Sequence, residues 1–262
     1  MLLIGCCGNT ESYSQIANMG YDYIELSARQ IMTLSETEFQ DFLQKYRKTG
    51  FPCRCFNDFC SINLPIIGPN CNLSAIKQYA DRLCLRGHAL GIQSIGIGAP
   101  AARVLPGSYP SERADQEMES FLRCVAGAAS KYGIMILVEA VHKYLCNYMN
   151  QTEDALAMVK RVNLPNVAMV LDYYHAFVMG EDIHQFSDVM PYVRHLHIST
   201  DLQGHYRGFL TAEDTAKLTQ LLREAVANGY QGAISVEAAP DCRLEPAGEL
   251  CADVMRTAVS CM

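Results

Sequence analysis

The sequence predicts a (β/α)8 barrel, and three observations carry that prediction. Apolar strand-like runs alternate with helical patterns eight times along the chain. No linker, composition break or low-complexity tract interrupts them, and the last four strands each end on an acidic or imidazole side chain. Strands that alternate with helices pair in parallel through right-handed crossovers. Eight such units close on themselves, and 262 residues match the length of about 250 that one such barrel needs. No G-x-G-x-x-G follows the first strand, which disfavours an open dinucleotide-binding sheet. One domain is therefore expected over residues 1–262.

The first run, 2–7, is followed by a short helix over 11–19 ending near Gly20. The second strand covers 21–26 and carries Glu25. Ser35 then opens a helix, because S-E-T-E places Glu38 at the capping-box spacing, and Gly50 stops it. The third strand is 52–56, and the turn-rich stretch N-D-F-C-S-I-N-L-P-I-I-G-P-N after it reads as a loop. Asn72 or Ser74 opens the helix to Leu90, and 94–97 is the fourth strand. A loop over 98–110 contains Arg103, and Ser111 starts a helix running to Tyr132. The fifth strand is 135–139, and the helix after it opens at Thr152 or Glu153 and runs to Val162. The sixth strand, V-A-M-V-L from Val167, has five apolar residues in a row, the pattern of a strand buried on both faces. A helix over 182–190, the seventh strand at 193–199, a helix over 213–228, the eighth strand at 233–237 and a helix over 245–259 complete the chain.

Composition narrows the function. Half the residues are hydrophobic and 19% charged, which is ordinary for a globular enzyme. Net charge is −7 and no Lys/Arg run occurs, which argues against nucleic acid or an anionic membrane as partner. No apolar run approaches the ~20 residues of a membrane span. The opening M-L-L-I-G-C-C-G reads as a strand rather than a leader, so twelve cysteines point to a reducing cytoplasm. They include no C-x-x-C pair and read as small buried hydrophobes. A homo-oligomer is compatible with all of this.

In such barrels the reactive end lies at the C-terminal ends of the strands. Glu139, Asp172, His197 and Glu237 end strands five to eight. A carboxylate there is costly unless something positive meets it, so the four together suggest one divalent metal site. Three carboxylates and one imidazole suit Mn, Mg, Co or Zn. His195 shares a strand face with His197 two residues deeper and reads as a core residue or as one that supports the ligands from behind, with His197 as the ligand. His175, about one helical turn beyond Asp172, and Arg207, in G-H-Y-R-G after the seventh strand, are expected at substrate oxygens. His142 and Asn147 beyond Glu139, and Glu25 at the end of the second strand, are expected to line the same pocket.

These residues carry a family resemblance. The stretches V-E-A-V-H-K-Y-L-C-N-Y-M-N (138–150), V-L-D-Y-Y-H (170–175), H-L-H-I-S-T-D (195–201) and S-V-E (235–237) resemble the xylose-isomerase-like sugar phosphate isomerase/epimerase superfamily of TIM barrels. I-G-A-P-A-A-R-V-L-P (97–106) is similar to that group's fourth strand and its Arg-containing loop. The group includes ketose 3-epimerases, hydroxypyruvate isomerase, inosose dehydratase and endonuclease IV relatives. The resemblance implies a divalent metal held by Glu139, Asp172, His197 and Glu237, with the two glutamates doubling as acid and base. It implies a small carbohydrate substrate and proton transfer beside a carbonyl through an enediolate. An inosose-type dehydratase or a keto-glycoside lyase shares that first step, while an apurinic-site endonuclease and a non-catalytic sugar-binding barrel are the further alternatives. The usual E-P-L-N, then Glu three residues on, then T-N is changed here. Ala140 replaces the Pro, His142 the Asn and Leu145 the second Glu, and no Pro-Gly follows Arg207. The pocket wall on that side therefore differs from the family's.

Overall fold

A computed structural model describes residues 2–202, 205–239 and 241–262. Eight parallel strands close into a barrel. In chain order these are β1 (Leu3–Gly8), β2 (Tyr23–Ser27), β3 (Cys53–Asn57), β4 (Ser94–Ile97), β5 (Met135–Glu139), β6 (Val167–Asp172), β7 (Val193–Ile198) and, after a separate antiparallel hairpin of β8 (Thr200–Leu202) and β9 (Tyr206–Gly208), β10 (Ala233–Val236). Around the barrel the order is β1-β10-β7-β6-β5-β4-β3-β2, so each strand lies beside its neighbours in the chain.

The helices are α1 (Tyr13–Ile16), α2 (Ala28–Thr33), α3 (Glu36–Thr49), α4 (Leu73–Leu90), α5 (Ser111–Ser130), α6 (Thr152–Val162), α7 (Tyr173–Val178), α8 (Thr215–Ala227) and α9 (Ala247–Ser260). Their start signals act as expected. Ser35 accepts from Glu38 N while Glu38 accepts from Ser35 N, and Asn72 accepts from Ser74 N and Ala75 N. Gly50, at φ 70°, ends α3 in the left-handed conformation that glycine adopts without strain. One continuous core, including Ile4, Ile24, Phe56, Ile95, Ile136 and Leu196, lies between the barrel and its helices. Each such fully buried side chain contributes about 1.5–3 kcal/mol. Small separate clusters, Tyr23–Cys55–Ala233 and Leu137–Ala168–Val170, fill the barrel itself. Among the described residues, no helix is long and apolar enough to cross a membrane.

Three elements differ from expectation. The helix expected over 182–190 is a series of turns. Asp182 accepts from His184 N (3.1 Å) and Gln185 Nε2 (2.6 Å), and its carbonyl accepts from Gln185 N, so a local turn outcompetes the helix. The helix of that unit is instead α7, which starts directly at the end of β6 because Asp172 caps it. A short α2 follows β2, opened by Ser27 accepting from Gln30 N. Finally, the segment carrying Arg207 is a hairpin strand rather than a loop, with Asp201 opposite Arg207. Gln203 and Gly204 of that motif lie outside the described residues.

Candidate metal centre

Register places the polar strand ends at one depth. Asp172 pairs with His197, and His197 pairs with Ser235, two residues before Glu237. Glu139 ends β5, and Glu237 follows β10 with its N–H donating to Ile198 O at 3.0 Å. Side-chain period along a strand is two, so His195 lies one layer deeper than His197 on the same face. The donor atoms of Glu139, Asp172, His197 and Glu237 all fall within 4.8 Å of one another. His197 Nδ1 is 3.1 Å from Glu237 Oε2, 3.4 Å from Glu139 Oε1 and 3.9 Å from Asp172 Oδ2. An ion about 2.0–2.2 Å from each donor sets its ligands about 3–3.5 Å apart, so the four residues fit a divalent cation. Cys7, which the sequence reading did not single out, forms a second close group with His197 and Glu237. Its position at the C-terminal end of β1 was the available signal.

Each ligand candidate is held in place by the fold. Asp172 uses Oδ1 to accept from Tyr174 N (2.8 Å) and His175 N (3.3 Å), which leaves Oδ2 for the centre. Arg103, fully buried, donates to the Glu139 carbonyl at 2.9 Å. Gly98 is required beside Glu139, because a Cβ there would come within 2.5 Å of Glu139 Oε2. Asn57 Nδ2 lies 3.4 Å from Glu237 Oε1, to which it donates.

Glu25 corrects an expectation. It is 1% exposed and is turned into the barrel, where it meets both histidines of H-x-H. Its Oε1 and Oε2 lie 3.1 and 3.2 Å from His197 Nε2, and Oε2 lies 2.8 Å from His195 Nε2. Ser235 Oγ completes the group, 3.1 Å from His195 Nε2 and 2.9 Å from Tyr23 Oη. A carboxylate behind a ligating imidazole fixes its tautomer and orientation, here with Nδ1 toward the three carboxylates. Glu25 therefore contacts histidine rather than a substrate. His195 is the core residue that its depth suggested.

The remaining expectations divide. His142 and His175 line the cavity at the barrel mouth, both nearly buried. Among the described residues His142 Nδ1 is buried without a hydrogen-bond partner. Asn147 is not part of the lining. Its amide is consumed by Leu105, donating to the carbonyl and accepting from the N–H, both at 2.9 Å, and so ties two loops together. Arg207 lines the same cavity, and its guanidinium is engaged there by protein groups. Its guanidinium contacts Asp172 and Glu237 directly, lies 3.0 Å from His175 Nε2 and stacks on Tyr174. The Arg207 carbonyl accepts from Ala239 N (3.0 Å), so the hairpin and the loop after β10 set its position together.

The two glutamates sit in opposite fields. Burial pushes Glu139 up to about 7, against the attraction of His197. Burial also acts to raise Glu237, but Arg207 and His197 outweigh it and hold that carboxyl at about 2. Burial alone would lower His197, yet Glu25 and Glu237 keep it well above its ordinary range. Burial, with Arg207 alongside, holds His175 well below its usual range and hence neutral. One cluster thus offers a carboxyl poised near neutrality, an ionised carboxylate and a neutral imidazole.

Comparison with known proteins agrees with this fold. The chain is 27% identical to L-ribulose 3-epimerase of Methylomonas sp. (strain DH-1) over 205 residues, covering 76% of this chain and 68% of that protein. The crystal structure of a D-psicose 3-epimerase in the presence of D-fructose superposes with a TM-score of 0.75 at 17% identity, covering 99% of this chain and 97% of that one. An IOLI protein with a bound zinc atom gives 0.66 at 19% identity, covering 99% and 96%. The family described as xylose isomerase-like TIM barrel matches residues 13–257, nearly the whole chain, and the protein belongs to that family.

Proposed function

We propose that the protein is a divalent-metal-dependent isomerase or epimerase of a small carbohydrate, moving a proton at the carbon next to a carbonyl. The observation that carries this reading is the convergence of Glu139, Asp172, His197 and Glu237 within 4.8 Å at the mouth of the barrel. The L-ribulose 3-epimerase relative, the epimerase structure with a ketose present and the zinc-bound neighbour support the same reaction class. Three oxygen donors and one nitrogen admit Mn, Mg, Co or Zn.

Glu139, Asp172, His197 and Glu237 would hold the ion. When bound, the ion would supply positive charge beside the oxygens on which negative charge develops as the proton leaves carbon. Glu139 and Glu237 come from β5 and the end of β10, which flank β6 and β7 in the barrel, and so address a central substrate from two sides. One takes the proton from carbon and the other returns it, which inverts or relocates the centre. Positioned acid–base groups of this kind contribute roughly 10²–10⁴-fold. His175, neutral and buried, hydrogen-bonds a substrate oxygen, and Arg207 neutralises the carboxylates between turnovers. His142 lines the cavity beside His175, with ring centroids 4.9 Å apart.

The test is solvent exchange. Metal-loaded enzyme incubated with a panel of ketoses in D₂O should place deuterium at the carbon next to the carbonyl. Glu139→Gln and Glu237→Gln should abolish that uptake at equal metal content. Conversion of a ketose without any deuterium uptake would defeat the two-glutamate mechanism.

A further inference from the structure

A second cavity lies between α7 and α8, where the chain passes from β7 into the hairpin. Its volume is about 180 Å³. Phe177 of α7, Ile198 of β7, and Leu218 and Leu221 of α8 give it apolar walls. Because α7 ends after six residues, the turns that follow it complete the lining, through Ile183. A wholly apolar cavity of about 150 Å³ stays dry and takes benzene. The space between α7 and α8 therefore fits one six-membered ring with a small substituent.

One edge of the cavity is polar. Ser199 and Asp201, at the start of the hairpin, line it beside the apolar side chains. Ser199 is 8% exposed and, among the described residues, its Oγ has no hydrogen-bond partner. A buried hydroxyl without a partner is destabilising, and a ligand hydroxyl that pairs with it relieves the penalty. Ser199 Oγ–H can donate to a ligand oxygen whose own O–H donates to the Asp201 carboxylate. A sugar carries hydroxyls all round its ring and would leave most of them unmet against Ile198 and Leu221. An anion would face Asp201 and Asp214, with Lys217 as the one lining cation among the described residues.

This cavity shares a wall with the barrel mouth. Tyr174 lines both, its ring lies 4.9 Å from the Arg207 guanidinium, and its hydroxyl donates to the His205 carbonyl. Asp201 stands opposite Arg207 in the hairpin, and Arg207 contacts Asp172 and Glu237. A ring bound against Tyr174 and Asp201 packs on the arrangement in which Arg207 holds those two carboxylates. They are free for an ion only once the guanidinium leaves them.

We infer that this cavity is a second ligand site, which takes a single aromatic ring bearing one hydroxyl and opposes metal binding through Tyr174 and the hairpin. The ligand site is independent of the sugar chemistry proposed above. Only the coupling rests on the metal centre, which Mn²⁺ titration without the ligand checks separately.

The experiment uses the full chain, with phenol and toluene as probes and calorimetry as the readout. Phenol should bind saturably, one per chain. Ser199→Ala should weaken phenol about fivefold, the loss of one hydrogen bond, and leave toluene within about twofold. The thermal midpoint of that variant should not fall, because the hydroxyl it removes serves no partner in the empty protein. Ile183→Trp, which fills the cavity from a half-buried position, should weaken both probes at least about 10-fold. Saturating phenol should raise the Mn²⁺ Kd about fivefold, and Mn²⁺ should weaken phenol by the same factor, because coupling between two sites is reciprocal. Absence of saturable phenol binding, or phenol binding untouched by both variants, would overturn the ligand site. Equal weakening of phenol and toluene by Ser199→Ala would overturn the hydroxylated class of ligand. Phenol bound with the Mn²⁺ Kd unchanged would overturn the coupling. Mn²⁺ that fails to bind without phenol would defeat the metal centre and the coupling together, while the phenol and toluene titrations still decide the ligand site.

Discussion

Replacing Glu25 tests how the metal centre is built, because this residue touches neither the ion position nor a substrate. Both of its oxygens are engaged by imidazole, Oε1 by His197 at 3.1 Å and Oε2 by His197 at 3.2 Å and His195 at 2.8 Å. Glu25→Ala would strand the buried His197 Nε2–H at about 1–3 kcal/mol, leave His195 Nε2 with Ser235 Oγ alone, and confound binding with folding. Glu25→Gln is the sharper change. With the amide oxygen at the Oε2 position it still accepts from His195, but the amide N–H₂ then confronts His197 Nε2–H at about 3.1 Å. The negative charge that makes His197 a strong donor is lost as well. Removing such a partner typically weakens metal affinity 10–100-fold, or about 1.4–2.7 kcal/mol. Mn²⁺ titration by calorimetry at pH 8 should therefore show a Kd raised by that factor, with the thermal midpoint of the metal-free protein lowered by only a few degrees. His195→Ala, which frees Glu25 without removing it, should give a smaller loss. A Glu25→Gln protein that binds Mn²⁺ within twofold of wild type would refute the argument, because the carboxylate would then be a packing element alone.

His197→Ala should lower metal content sharply by elemental analysis, and equal occupancy in variant and wild type would remove His197 from the ligand set. Metal affinity should rise with pH through about 7 and keep rising above it, since His197, held protonated well above its ordinary range, must also lose a proton to ligate. Glu139 carries a proton below about 7 in the metal-free protein, and the ion must displace it; an affinity independent of pH between 5.5 and 7 would contradict this. Gly98→Ala should reduce turnover more than 100-fold while the fold survives, since its methyl occupies the space of Glu139 Oε2. Full activity in that variant would mean that Glu139 has room the geometry denies it.

The barrel was legible because its signals are local and repeated. Apolar runs mark the strands, Ser35 and Asn72 mark helix starts, and each acts within a few residues of itself. The ligand candidates were legible for a similar reason, since a carboxylate at the end of a buried strand is anomalous on its own. The misreadings arose where a residue serves a partner far off in sequence. Glu25 looks like any strand-end acid until His195 and His197, 170 and 172 residues later, are seen to need it. Asn147 looks available until Leu105, 42 residues earlier, takes both ends of its amide. The turn at 182–190 was the opposite case. There a side chain two residues from its donor defeated a helical pattern, which hydrophobic spacing alone does not reveal.

The departures from the family motif after Glu139 then acquire a physical meaning. Leu145 lines the cavity where the family's second glutamate would place a charge, and His142 stands where the family has an amide. The first change removes a charge on the β5 side, and the second exchanges an amide for an imidazole that still offers a donor and an acceptor. Tyr144 compensates in part, stacking on His205 of the hairpin at 5.0 Å and closing that side with rings. Polar side chains gather instead near β1 to β3, where Asn9, Ser12, Gln15, Arg29 and Gln30 line the cavity. A wall without a charge at Leu145, facing such a polar side, leaves most of the fixed hydrogen-bonding groups beyond the cluster on the β1 to β3 side, so substitutions there should change substrate affinity more than substitutions at Leu145 or Tyr144.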